Sequence, residues 1–215
     1  MSSYSKELQH LIDIFDPPPP KWAYEPPPNF KLDKHPEKAE DVYWELQSQR
    51  WFEGHTNERG EYITGSHYFY IQECWLTNIK GRVFKPNWRD TDELMANWCA
   101  DCIRDEQSLL IYKRRRIGAT SFFANLPYYF IRTNPGCKIG ITGKDQRNIN
   151  SMFNDKILYS YNRFNPKVLN TNPVGINNTA QRSNLTVALK VMDEFTNSVD
   201  VRTSNIICAE TSEKP

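Results

Sequence analysis

Lys113-Arg114-Arg115-Arg116 sets four cations in a row, and Gly118, Thr120 and Ser121 follow closely behind them. Those residue types in that order suit the capture of a phosphate. Cationic side chains neutralise the charge, a glycine lets the main chain approach an anion, and a hydroxyl can serve Mg²⁺. The strict phosphate-loop pattern GxxxxGK[ST] is not met. Ala119 stands where its lysine belongs, Lys113 or Leu110 stands near the place of its first glycine, and Thr120 falls at the Mg²⁺ hydroxyl. A solvated basic turn is the plain alternative, and a cluster that meets nucleic-acid phosphates directly is another.

A phosphate loop needs a strand before it and a helix after it. The apolar run Leu109–Tyr112 is short enough for a buried strand, and Phe122–Leu126 opens a helical pattern. Pro127 is expected to kink or end that helix. Lys138-Ile139-Gly140-Ile141-Thr142-Gly143 reads as a second buried strand, so the order strand–helix–strand predicts a parallel sheet. Residues 145–161 read as helical, with Ile149, Met152, Phe153 and Ile157 about one turn apart.

Upstream, Leu8, Leu11, Ile12 and Phe15 form a short amphipathic stripe before a proline-rich run over residues 17–28. Polyproline II suits that run, as a stiff spacer or as an SH3-type ligand. The spacing predicts a helix over 36–52 with Ala39, Val42, Tyr43 and Leu46 on its apolar stripe, and a loop from Gly54 to Gly60. Tyr62–Thr64 reads as a strand, His67–Cys74 as a short helix or extended segment, and Asn78–Gly81 as a turn. A helix over Asp90–Glu106 is expected to take Thr91 as its N-cap and to bury Leu94, Met95, Trp98, Cys102 and Ile103. Cys99 and Cys102 then fall at i and i+3 on or near one helix face, and no second pair supplies a zinc set. Asn165-Pro166, Asn172-Pro173 and Asn177-Asn178 mark loops, and the alternation at Leu185, Val187, Leu189 and Val191, with Val199, Val201 and Ile206–Cys208 later, marks antiparallel strands.

Charge is nearly balanced, with 27 basic against 26 acidic residues, so any attraction for nucleic acid must come from local clusters. No run approaches the roughly 18 apolar residues of a membrane span, and no leader pattern opens the chain. A soluble protein is expected.

Lys113–Thr120 resembles the deviant Walker A of bacteriophage terminase large subunits, K-x-x-R-x-G-x-[ST]. Lys113 matches its relocated lysine, Arg116 its arginine, Gly118 its glycine and Thr120 its hydroxyl. Gly65-Ser66-His67-Tyr68-Phe69-Tyr70-Ile71 and Pro86-Asn87-Trp88-Arg89-Asp90-Thr91-Asp92 resemble the runs that precede Walker A in that family. The likeness spans Tyr62 to Asp155.

The resemblance implies an α/β fold, with a P-loop NTPase-like parallel sheet, flanking helices and a hairpin-rich C-terminal part. It implies ATP and Mg²⁺ as cofactors, with Lys113 and Arg116 as catalytic residues. The nucleotide would meet Lys113, Arg114, Arg115, Arg116, Ile117, Gly118, Ala119, Thr120 and Ser121, and Gln72 would meet adenine. Thr120 would hold the metal. A Walker B strand ending in Asp-Glu is also needed. Val191-Met192-Asp193-Glu194 is the formal match, with Asp193 as a metal ligand, but its alternation reads as a hairpin. The expected organisation is an arm and spacer over 1–35, then a partial ATPase domain over 36–215, truncated before Walker B and the nuclease domain. Hydrolysis would then belong to the full-length protein. Implied partners are double-stranded DNA, the portal protein, the terminase small subunit and copies of the chain in a ring. The place of action would be the host cytoplasm, at the procapsid, with no membrane. The readings from other classes are a non-enzymatic nucleic-acid-binding module using Lys113–Arg116 and a helicase-like P-loop fragment.

Overall fold

Trp51 and Phe69 meet edge to face with ring centroids 5.3 Å apart, and the helices carrying them begin the core. The computed structural model describes residues 21–78, 80–113, 117–134, 136–143, 146–163, 171–178, 182–192 and 199–211. It is a mixed helix-and-strand protein.

Helix α1, Pro36–Glu53, starts on a proline, whose absent N–H costs nothing in a first turn. Its inward side is Gln47 and Trp51, flanked by Tyr43 and Trp44, while Val42 and Leu46 are exposed. The expected stripe is thus rotated, because the tryptophans offer more apolar area than Val42 and Leu46. Helix α2, Gly65–Glu73, buries His67 through Gln72 without a break. It passes so close to α1 that a Cβ on Gly65 would lie 2.0 Å from the Trp51 carbonyl oxygen. Only glycine fits there.

Two small hairpins bracket α2. Strand β1, His55–Thr56, which the loop reading missed, pairs with β2, Tyr62–Ile63. Strand β3, Leu76–Thr77, pairs with β4, Val83–Phe84. Both turns use the same device, an asparagine side chain that accepts from two following main-chain N–H groups. Asn57 Oδ1 takes Arg59 and Glu61 at 3.0 and 2.9 Å, and Asn78 Oδ1 takes Lys80 and Arg82, both at 2.9 Å.

Helix α3, Asp90–Arg104, is N-capped by Arg89 without a side-chain bond, so Thr91 lies inside the first turn rather than at the cap. Asp92, Met95, Ala96 and Cys99 face inward; Leu94, Trp98 and Ile103 are exposed. Leu109–Tyr112 forms no strand. Leu110 and Tyr112 are 78% and 91% exposed, Leu109 and Ile111 are half-buried, and no strand among the described residues pairs with the run. Helix α4, Ala119–Thr133, runs on through Pro127. Burial of Phe122, Ala124, Tyr128 and Ile131 outweighs the roughly 3 kcal/mol of an internal proline.

Strand β5, Lys138–Gly143, leads to α5, Gln146–Met152, a π-helical turn Phe153–Leu158 and α6, Tyr159–Tyr161. Ile149, Phe153 and Ile157 are buried there, as their spacing predicts. Strands β6, Thr171–Asn178, β7, Arg182–Met192, and β8, Val199–Thr211, complete a sheet of order β5-β8-β7-β6. The contacts β6–β7 and β7–β8 are antiparallel, as the alternation predicts; β5–β8 is parallel. Asn172-Pro173 and Asn177-Asn178 lie within β6 rather than in loops, with a register shift beside Pro173 that accommodates its missing donor.

The proline-rich run is not held off the body over its described part. Trp22 is buried, edge-on to His55 and Tyr68 at 5.4 and 6.4 Å. Residues 1–20 lie outside the described residues.

Candidate functional site

Gly118 is the hinge between the basic run and α4. Its φ of +83° and ψ of −4° put it in the left-handed region, where a side chain is strained, and it is the N-cap of the helix. Its carbonyl accepts from Ser121 at 2.9 Å and from Phe122 at 3.3 Å, and no side chain caps the helix. The first N–H groups of a helix have no acceptor within it and carry partial positive charge.

A cavity of about 510 Å³ opens at this helix start. Lys113 and Thr120 line it with Ala119 and Phe123, and Leu109 and Ile111 form another side. Cys99 of α3, Ile141 of β5 and Met152 of α5 complete the wall. Its size falls in the roughly 300–1,000 Å³ range of ligand pockets, and its walls are apolar with a few polar groups, as such pockets are. Lys113 and Thr120 are exposed, whereas Ser121 is half-buried and does not line it. A lysine, a hydroxyl and a helix start around apolar walls can hold an anion whose other end is flat and apolar.

Arg89 reaches this loop from the N-cap of α3. Its Nη1 donates to the Ile117 carbonyl at 3.2 Å, and its Nε and Nη2 donate to Asp92 Oδ2 at 2.9 and 2.6 Å. Asp92 is fully buried, and its Oδ1 has no hydrogen-bond partner among the described residues. Burial pushes the Asp92 carboxyl up, and the Arg89 guanidinium pulls it back. The guanidinium lies so near Gly118 that a Cβ there would stand 1.9 Å from Nη1. The next aromatic layer is His67, stacked on Trp88 at 4.7 Å and held neutral by burial and by Arg89, with its pKa lowered to about 4.

Gln72 belongs to another cavity, of about 190 Å³, lined also by Tyr24, Glu73, Trp75 and Lys85. Its amide spans the main chain of residues 23–25. The Lys85 ammonium lies 4.6 Å from the Tyr24 ring centroid and 4.4 Å from that of Trp75, so a caged cation closes this side.

The structure therefore brings Lys113, Ala119 and Thr120 around one cavity, with Gly118 as the N-cap of the helix that carries Ala119 and Thr120, and sets Gln72 elsewhere. Arg114, Arg115 and Arg116 lie outside the described residues, as do Asp193 and Glu194; β7 ends at Met192, paired with Val199. Cys99 and Cys102 sit at i and i+3 in α3 as free thiols, and burial raises Cys99 to about 11. Among the described residues, no group of three or more His, Cys, Asp and Glu is placed to hold a metal. In the sequence Arg89 and Asp92 stand only within the run resembling the one before Walker A, although their i, i+3 spacing is the signal of a pair on one helix turn.

No family model matches the chain, and no curated protein is significantly similar to it. Among the described residues, no helix is long and apolar enough to cross a membrane.

Proposed function

We propose that the protein binds a nucleoside triphosphate with Mg²⁺ at the start of α4, as the ATP-binding portion of a terminase-type DNA-packaging motor. The observation that carries the reading is the convergence of Lys113, Thr120 and the Gly118 turn on one cavity. Lys113 supplies a point charge where Ala119 lacks one, the free N–H groups of α4 receive phosphate oxygens, and Thr120 offers its hydroxyl to the metal. The apolar walls suit a base or sugar. The parallel pairing of β5 with β8, next to α4, supports a P-loop-like sheet.

In this reading Arg114, Arg115 and Arg116 add charge along the phosphates. Double-stranded DNA, the portal protein, the small subunit and ring assembly at the procapsid in the host cytoplasm follow from the packaging role. Hydrolysis requires an acidic water-activating group, for which Asp193-Glu194 is the formal match in sequence.

Calorimetric titration with ATP and Mg²⁺ tests the reading. Lys113→Ala is expected to lower affinity at least roughly tenfold, about 1.4 kcal/mol, and Ala119→Lys in that background to restore part of it. Binding unchanged by Lys113→Ala refutes the relocated lysine. DNA binding that falls steeply with salt and that ATP does not displace would favour the nucleic-acid-binding module instead.

A further inference from the structure

The peptide joining Ile117 to Gly118 is held from outside the loop. A trans peptide points its C=O and its N–H to opposite sides. The Ile117 carbonyl accepts from Arg89 Nη1 at 3.2 Å, so the Gly118 N–H must point away from Arg89. The same guanidinium fills the space a side chain at 118 would need. Arg89 thus sets both the direction of one N–H and the depth of the turn.

Arg89 is itself fixed. Two of its N–H groups converge on Asp92 Oδ2, and Asp92, fully buried, has no other cation bonded to it among the described residues. A buried carboxylate retains its charge only beside a compensating cation, so guanidinium and carboxylate hold each other in place. The pair lies in the first turn of α3, where the helix end favours a carboxylate. The Arg89 side chain is still 38% exposed, so it is anchored at the edge of the turn and not sealed in the core.

We propose that Arg89 is a positioning residue of the anion site: through the Ile117 carbonyl and the face of Gly118 it presents the Gly118 N–H to a bound phosphate, and Asp92 locks it in that pose. This rests on the nucleotide reading of the loop and adds a residue outside it. The fork matters as well as the charge. A lysine has one nitrogen and cannot bond Asp92 and the Ile117 carbonyl as the planar guanidinium does.

The test uses the full chain, with inorganic tripolyphosphate and Mg²⁺ as the probe, by calorimetry, and Lys113→Ala as the reference. Arg89→Ala is expected to weaken tripolyphosphate binding at least roughly tenfold, and added guanidinium ion to restore much of it. A stability loss alone would not give that restoration. Arg89→Lys is expected to lose binding likewise, and it keeps the test open if Arg89→Ala fails to fold. Wild-type affinity in either Arg89 variant, with Lys113→Ala still defective, overturns the proposal and leaves the nucleotide reading standing. Loss in Arg89→Ala without rescue by guanidinium also overturns it. Absence of any tripolyphosphate binding by the unaltered chain overturns both.

Discussion

Gln72 grips Ala23: its Nε2 donates to the Ala23 carbonyl at 2.9 Å, while its Oε1 accepts from the neighbouring Glu25 N–H at 3.1 Å. One buried amide side chain thus satisfies an extended segment as an adjacent strand would, at a place where the prolines 26–28 supply no N–H. Gln72→Ala is expected to cost about 1–3 kcal/mol of stability and to raise amide exchange at Glu25, whose N–H Gln72 accepts. Unchanged exchange there would show that Trp22 alone holds the segment. An accompanying loss of ATP affinity would give Gln72 a base contact as well.

Thr120 and Ser121 are adjacent hydroxyls with different surroundings. Thr120 lines the cavity, and Ser121 is turned about 100° further round the helix. Thr120→Ala is expected to weaken Mg²⁺-dependent ATP binding several-fold more than Ser121→Ala does. Titrations with and without Mg²⁺ decide it. An equal or larger loss for Ser121 would mean that the hydroxyl register is wrong by one residue.

His67 makes acid instability a local event. Burial first, and then the Arg89 charge, hold its pKa at about 4, against 6.5 for the ordinary group. The unfolded chain therefore takes up the extra proton before the folded chain does. The stability due to neutral His67 is whole above about pH 6.5 and falls as pH drops towards about 4, by an amount on the order of 3 kcal/mol. Denaturant melts of the wild type and of His67→Phe across that window measure it. The variant should flatten the slope, and an identical slope would exonerate His67.

The helices and hairpins were legible where pattern and local chemistry agree. Lys138–Gly143 and the strand at Tyr62–Ile63 fall where the pattern puts them, and of the two readings of His67–Cys74 the helix is the one formed, over Gly65–Glu73. So does the turn at Asn78, because an asparagine accepting from two N–H groups is a local device. What failed was anything decided by a distant partner. The α1 stripe turned towards Gln47 and Trp51 because Phe69 and Tyr68 wait on that side. Leu109–Tyr112 has a strand's composition, but among the described residues no strand pairs with it. Of the candidate site, Lys113, Ala119 and Thr120, which line the cavity, are residues that type and spacing had singled out. Arg89 was not, because its role depends on a carbonyl 28 positions away in the chain.

The parallel seam between β5 and β8 also bears on how the chain reaches this state. Lys138 must find Ile206, and Gly143 must find Thr211, whereas β1 meets β2 across a single tight turn. Contacts between remote stretches form slowly, since the intervening chain must first be gathered in. On the ribosome β5 emerges well ahead of β8, with neither flank hydrogen-bonded. An unpaired strand edge is a template for the wrong neighbour. Until β8 arrives, β5 presents an edge of that kind, and the β5–β8 seam is the part of the sheet that must close last.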